Sequence, residues 1–197
     1  MTRFEEALLT TARVLEASAI PYMVIGGVAN LFWGVPRTTL DVDIAVWVGE
    51  ADIPRLIQRL PDVLRLLPDD PVEFIRETRV LPMETKEGFR VDLIFGTLPF
   101  EESAIRRARW MSVAGERVRI CTPEDLIVLK IVSDRARDRE DVAGIIRTQG
   151  AGLDRRSHVK RAHEFWARGI EKILILDRGN VELGVPRGWS VEPDPDG

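Results

Sequence analysis

Three aspartates in this sequence have the type and spacing for metal-assisted chemistry. Asp41 and Asp43 stand two apart in DVDIAVWV, residues 41–48. In a strand that spacing puts both side chains on one face. There they reach one divalent ion, or two ions bridged by a carboxylate, and they repel each other unless a cation or proton lies between them. Asp92 is the third, set between Val91 and Leu93 in FRVDLIFG, an otherwise apolar strand pattern. An acid inside such a strand needs a partner. If that strand neighbours 41–48, three carboxylates meet at one end of a sheet. About 14 residues before Asp41, Gly26 and Gly27 close the apolar run YMVI and open a helical pattern. Glycine lets backbone approach a phosphate, and a helix N-terminus offers unpaired N–H groups and a positive dipole end. One side of the site therefore suits phosphates, and the other suits the metal that bridges them.

The remaining composition narrows the donor set. The chain has 197 residues, 45% hydrophobic and 30% charged, enough for one globular core with a helical appendage. Cys121 is the one cysteine, so an intrachain disulfide and a cysteine zinc cluster are both excluded. The two histidines, His158 and His163, stand five apart and do not share a helical face well enough for a metal pair. A metal must then be held by carboxylates, which favours a hard cation such as Mg²⁺. No apolar run approaches the roughly 18 residues of a membrane helix, and the opening MTRFEEALLTTARV carries acids with no apolar signal region. A cytoplasmic protein with no membrane partner is expected. Charge is uneven: residues 103–170 hold 15 Lys and Arg against 9 Asp and Glu, and the rest holds 13 against 23. The basic segment suits either a polyanion partner or a solvated helical surface.

The elements that must position these residues follow from periodicity and punctuation. Residues 3–17 place Phe4, Ala7, Leu8, Val14 and Leu15 along one helical face. YMVIGG reads as a buried strand, VANLFWG as a short helix and 41–48 as the strand that carries the acids. A helix is expected over 51–60, an irregular connection over 61–71, and strands at 72–80 and 89–95. A helix over 100–109 precedes a hairpin around Ala114-Gly115-Glu116. Thr122-Pro123-Glu124-Asp125 is a helix start: a cap, a first-turn proline and two acids on the dipole. A second helix closes at Gly150, a third is expected over 153–169, a strand and turn within 172–191, and a disordered end. Trp33, Trp47 and Trp110 read as core or rim packing, and Cys121 as an inert buried thiol.

The run GGVANLFWGVPRTTLDVDI resembles the nucleotidyltransferase signature: a glycine pair after a strand, a short helix, then an acidic pair on the next strand. Asp92 sits where that superfamily keeps its third carboxylate. G-G-x-A, R-x-T-x-D-x-D and the later PEDLIVLKIVSDRARDREDV resemble, more narrowly, the abortive-infection (AbiEii-like) bacterial branch related to toxin–antitoxin systems. The resemblance covers about residues 20–148. It implies an α/β (α+β) nucleotidyltransferase fold, a short mixed β-sheet flanked by helices with a C-terminal helical segment. The corresponding division is a catalytic core over 1–121, a helical segment over 122–170 packed on it, and a partly disordered tail over 171–197. The implied reaction moves a nucleoside monophosphate from an NTP such as ATP to an acceptor hydroxyl and releases pyrophosphate. Asp41, Asp43 and Asp92 would hold two Mg²⁺ ions (Mn²⁺ being the substitute), with Asp92 helping to deprotonate the acceptor. Gly26 and Gly27 would hold the β- and γ-phosphates. Where many members have Gly-Ser, Gly27 brings no hydroxyl, so one phosphate contact is missing.

Four more residues belong to this expectation. Arg37 and Thr38 precede the acidic strand, where an arginine pairs with a phosphate or with a neighbouring acid. Lys130 lies among Leu129 and Ile131, a position from which lysine also snorkels without a role. The resemblance implies that Lys130 and the following acid Asp141 face the nucleotide, with Asp138 and Glu140 as rivals to Asp141. The acceptor stays open among RNA, including tRNA, a protein and a small molecule, and a cognate antitoxin is an expected partner. The competing reading is a protein of this fold that binds nucleotide or a partner without turnover. A haloacid-dehalogenase-type phosphatase is disfavoured by Ala45, a metal-dependent glycosyltransferase by the 40 residues before Asp41, and an RNA-binding module by the lack of its signatures.

Overall fold

The computed structural model describes residues 2–60, 64–133 and 135–154, with strands at 174–177 and 180–183. Thr2 opens α1 (Arg3–Ala17) with a reciprocal cap, its hydroxyl accepting the Glu5 N–H at 3.2 Å while Glu5 accepts the Thr2 N–H at 2.7 Å. The helix buries Leu8, Leu9 and Leu15 and packs against the sheet. β1 (Tyr22–Val24) runs directly into α2 (Gly26–Trp33), and β2 (Asp41–Val46) follows after a loop. Next come α3 (Ile53–Arg59), β3 (Arg65–Leu66), α4 (Pro71–Thr78), β4 (Val80–Glu84) and β5 (Arg90–Phe95). α5 (Pro99–Arg107) leads to the hairpin of β6 (Arg109–Val113) and β7 (Glu116–Ile120). Its turn residues Ala114 and Gly115 both have positive φ, 49° and 86°, as the twist of a two-residue hairpin turn requires. α6 (Pro123–Ser133) and α7 (Ala136–Gln149) pack on each other and on α2.

The expected mixed sheet is present, with seven strands in the order β3-β4-β5-β2-β1-β7-β6. β2 pairs in parallel with β5 and β1 in parallel with β7; the other pairs are antiparallel. Val42, Ile44 and Val46 of β2, with Val91 and Leu93 of β5, fill the face opposite the acids and are fully buried. Each such side chain contributes roughly 1.5–3 kcal/mol of transfer free energy.

One expected strand is a helix. Residues 71–78 form α4, because Asp70 Oδ1 caps the Glu73 N–H at 3.0 Å and Pro71 takes the first turn. Arg79, with φ of 61°, ends the helix in the left-handed region, and the strand starts only at Val80. The helix start at Thr122 appears as read: its hydroxyl accepts the Asp125 N–H at 3.2 Å, and Arg107 pairs with Asp125 at 2.8 Å. Trp33 is buried and donates to the Cys121 carbonyl at 2.8 Å. Trp110 lies at the rim, 44% exposed, with the Arg117 guanidinium 5.0 Å from its ring centre. Cys121 is fully buried, and burial pushes its thiol pKa up. Within 172–191 a separate hairpin forms from β8 (Leu174–Asp177) and β9 (Asn180–Leu183). Most of the expected 153–169 helix, both histidines and the chain end lie outside the described residues. No helix among the described residues is long and apolar enough to cross a membrane.

Candidate active site

The parallel β2–β5 register sets Asp43 directly beside Asp92, and Asp41 one pleat along on the same face. The Ile25 N–H donates to the Asp43 carbonyl at 2.9 Å, which brings the start of α2 against this acidic edge. Gly26 has φ of 61°, and a Cβ there would lie 1.9 Å from Asp43 Oδ2. Both the backbone angle and the space exclude a side chain. At Gly27 a Cβ would lie 2.4 Å from Thr39 Oγ1. The volume of a residue-27 side chain is therefore already taken by the Thr39 hydroxyl, which donates to Asp41 Oδ1 at 3.1 Å. The loop residue aimed into the site is thus Thr39. Of Thr38 only the carbonyl takes part, accepting from Arg37 Nη1 at 3.3 Å.

Asp41, Asp43, the glycines, one side of α6 and the start of α7 bound one open cleft of about 510 Å³. That is large enough for a nucleotide. Ile25, Leu40 and Leu129 supply apolar wall, and Arg37, Lys130, Arg135 and Arg137 supply positive charge. Behind the wall, Asp141 accepts from Arg37 Nε and Nη2, both at 2.8 Å, and from Lys130 Nζ at 2.7 Å. Lys130 also reaches Asp138 at 3.0 Å, and Ser133 Oγ donates to Asp138 at 2.6 Å. The rivals are thereby ordered: Asp141 and Asp138 both hold Lys130, while Glu140 is exposed. Asp141 does not line the cleft; the two cations that it grips do. Arg135, Arg137 and Ser133 lie within the quoted run PEDLIVLKIVSDRARDREDV without a role assigned to them, and Thr39 is the threonine of R-x-T-x-D-x-D, where the expected role goes to Thr38 instead.

Burial pushes Asp43 up to about 6, reinforced by the charges of Asp41 and Asp92 and offset in part by Lys130 and Arg135. Burial also raises Asp141, but hydrogen bonds from Arg37 and Lys130 outweigh it and hold this carboxyl below its ordinary value. Asp92 is turned toward Arg90 Nε at 3.0 Å. As arranged, no three acidic, histidine or cysteine side chains among the described residues converge closely enough to hold an ion. The donor chemistry nonetheless fits a hard cation. Three carboxylates share one face, and Asp43 is held high by burial and by the charges of the other two. For Asp92 to join such a set it would have to leave Arg90.

The model of a family described as nucleotidyl transferase of unknown function (DUF2204) matches residues 75–174. The chain belongs to that family. The matched stretch includes Asp92, Lys130 and Asp141 and begins after the glycine pair and the Asp41–Asp43 pair. Three solved structures share the nucleotidyltransferase fold. An antigenic nucleotidyltransferase-like protein from Paracoccidioides brasiliensis is 19% identical at a TM-score of 0.53, over 74% of this chain and 76% of that one. The antibiotic-resistance factor ANT(2'')-Ia is 16% identical at 0.52, over 85% and 94%. The lincosamide antibiotic adenylyltransferase LnuA, lincomycin-bound, is 15% identical at 0.51, over 74% and 96%. At these identities the likeness is one of fold. No curated protein matches the chain. The nucleotidyl transferase family and the fold support the superfamily reading, and neither carries the narrower abortive-infection branch.

Proposed function

We propose that this chain transfers a nucleoside monophosphate from an NTP to an acceptor hydroxyl in a Mg²⁺-dependent reaction. The observation that carries the reading is the Asp41 and Asp43 pair set against the Gly26–Gly27 turn in one cleft, with Asp92 beside Asp43 on the same sheet face. The acceptor oxygen attacks the α-phosphorus in line. The bond from that phosphorus to the bridging oxygen breaks, and pyrophosphate leaves with the electron pair. Two Mg²⁺ ions (or Mn²⁺), held by Asp41, Asp43 and Asp92, would supply charge neutralisation for the attacking and leaving oxygens. Asp92, beside Asp43 on the same face of the sheet, takes the acceptor's proton. The N–H groups of Gly26 and Gly27, at the positive end of α2, bind phosphate oxygens. The Thr39 hydroxyl, filling the space beside Gly27, offers the contact that a serine at that position would bring.

The acceptor classes are RNA or tRNA, a protein hydroxyl, and a small molecule. Strong inhibition by modest salt would single out a nucleic acid. A toxin role with a cognate antitoxin is part of the same proposal and is tested by co-purification from the native host. The site itself is tested by calorimetric titration with each of the four NTPs, with and without Mg²⁺. Mg²⁺-dependent binding of one NTP, lost in Asp41→Ala/Asp43→Ala, is the expected result. Binding of no NTP would overturn the proposal in favour of a nucleotidyltransferase fold that engages a partner without turnover.

A further inference from the structure

The positive side chains around the cleft fall into two groups. Arg37 and Lys130 are committed to acids: Arg37 lies in a two-pronged pair with Asp141, and Lys130 is 5% exposed between Asp138 and Asp141. Two cations and two carboxylates make that group neutral, so it adds little net attraction for a polyanion. Arg135 and Arg137 are different. Arg135 immediately precedes α7 and Arg137 lies in its first turn; both are exposed and both line the cleft. Neither donates a side-chain hydrogen bond to, or forms an ion pair with, any described residue.

We propose that Arg135 and Arg137 are the side-chain ligands of the β- and γ-phosphates, beside the Gly26 and Gly27 N–H groups, and take up the charge of the departing pyrophosphate. The assignment rests on the nucleotidyl-transfer reading above and names the residues that receive the leaving group. As the bond from the α-phosphorus to the bridging oxygen breaks, its electron pair moves onto that oxygen, and negative charge accumulates on the pyrophosphate side. A guanidinium presents a planar fork that matches phosphate oxygens, so an uncommitted arginine meets this charge with paired hydrogen bonds. Arg135 and Arg137 are held on a helix and keep rim exposure, so they swing onto the phosphates without breaking a buried pair. Arg37 could do so only by leaving Asp141 buried beside Lys130, at the cost of a broken pair. Asp141 and Asp138 are then positioning residues for Lys130 and Arg37, not nucleotide ligands.

Inorganic pyrophosphate is the probe, titrated calorimetrically with and without Mg²⁺ into the full chain. Wild type should bind it, and Arg135→Ala/Arg137→Ala should weaken binding by on the order of ten- to a hundredfold. Arg117→Ala removes an equal charge from the β6–β7 hairpin, away from the cleft-lining residues, and should leave affinity unchanged. Both arginines are exposed, so the double variant should melt with wild type; a thermal scan of the same samples confirms that it is folded. Undiminished pyrophosphate affinity in the double variant would overturn the assignment while leaving the transfer reading standing. So would a wild type that binds an NTP but no pyrophosphate. Equal weakening by Arg117→Ala would also overturn it, by exposing a general charge effect. A wild type that binds neither pyrophosphate nor any NTP would remove both readings together.

Discussion

Replacing Asp43 by Asn should make the metal-free protein more stable, although the residue is placed at the centre of the chemistry. The Asp43 carboxyl titrates near 6 in the fold against 3.8 for the ordinary group, because it is buried and faces Asp41 and Asp92. A raised carboxylate value means that folding favours the protonated form. The associated stability is complete below the unfolded value and is lost as pH rises through the folded one. Two units correspond to about 3 kcal/mol at neutral pH as an upper bound. Partial exposure reduces the expected gain of Asp43→Asn to about 1–3 kcal/mol, or about 2–12 °C in Tm for a chain of this size. The assay is a thermal melt in chelator at several pH values between 4 and 8. The gain should be largest at pH 7–8 and nearly vanish by pH 4. Mg²⁺ should then stabilise wild type more than the variant and close the gap, as binding to the folded state requires. A variant less stable than wild type in chelator at pH 7.5, or a gain that does not shrink toward pH 4, would refute the reasoning.

Three further outcomes follow from the same contacts. Gly27→Ser should destabilise the fold and impair NTP binding, because its Cβ meets Thr39 Oγ1 at 2.4 Å. Adding Thr39→Ala removes the hydroxyl but keeps the Cβ 2.9 Å away, so it should restore only part of the loss, a coupling that a double-mutant cycle of melts and affinities measures. Asp141→Ala strands Arg37 and Lys130 beside a single remaining acid and should cost about 3 kcal/mol at neutral pH. Its folded carboxyl value lies below 3.8, so the contribution is complete above that pH and lost in more acid solution; denaturant melts should show the deficit narrowing below pH 4. Gly26→Ala should be more damaging than Gly27→Ala, since it adds left-handed backbone strain to a 1.9 Å clash with Asp43; relative soluble yield and Tm report the order.

Some of this architecture is written locally in the chain. The two-residue period of a strand puts Asp41 and Asp43 on one face whatever surrounds them. Thr122-Pro123-Glu124-Asp125 starts a helix by its own hydrogen bonds. Asp70-Pro71 carries the same kind of cap, and the apolar VEFI that follows obscured it: Val72, Phe74 and Ile75 fit a short strand as readily as a short helix, and the cap decided for helix. What local pattern did not contain is which distant groups meet. Asp43 and Asp92 are neighbours only because β5 crosses over to run parallel with β2. The Thr39 hydroxyl fills the space beside Gly27 only because the loop folds back onto the start of α2. Arg37 finds Asp141 across 104 residues. Lys130 was legible as a charge in an apolar helix, and its partners depend on how α6 meets α7. Residue types and short periods thus determined the chemistry available to this protein. The packing of helices and strands decided which charges are spent on one another and which face the cleft, because a charge pairs with whatever the fold brings within a few ångströms.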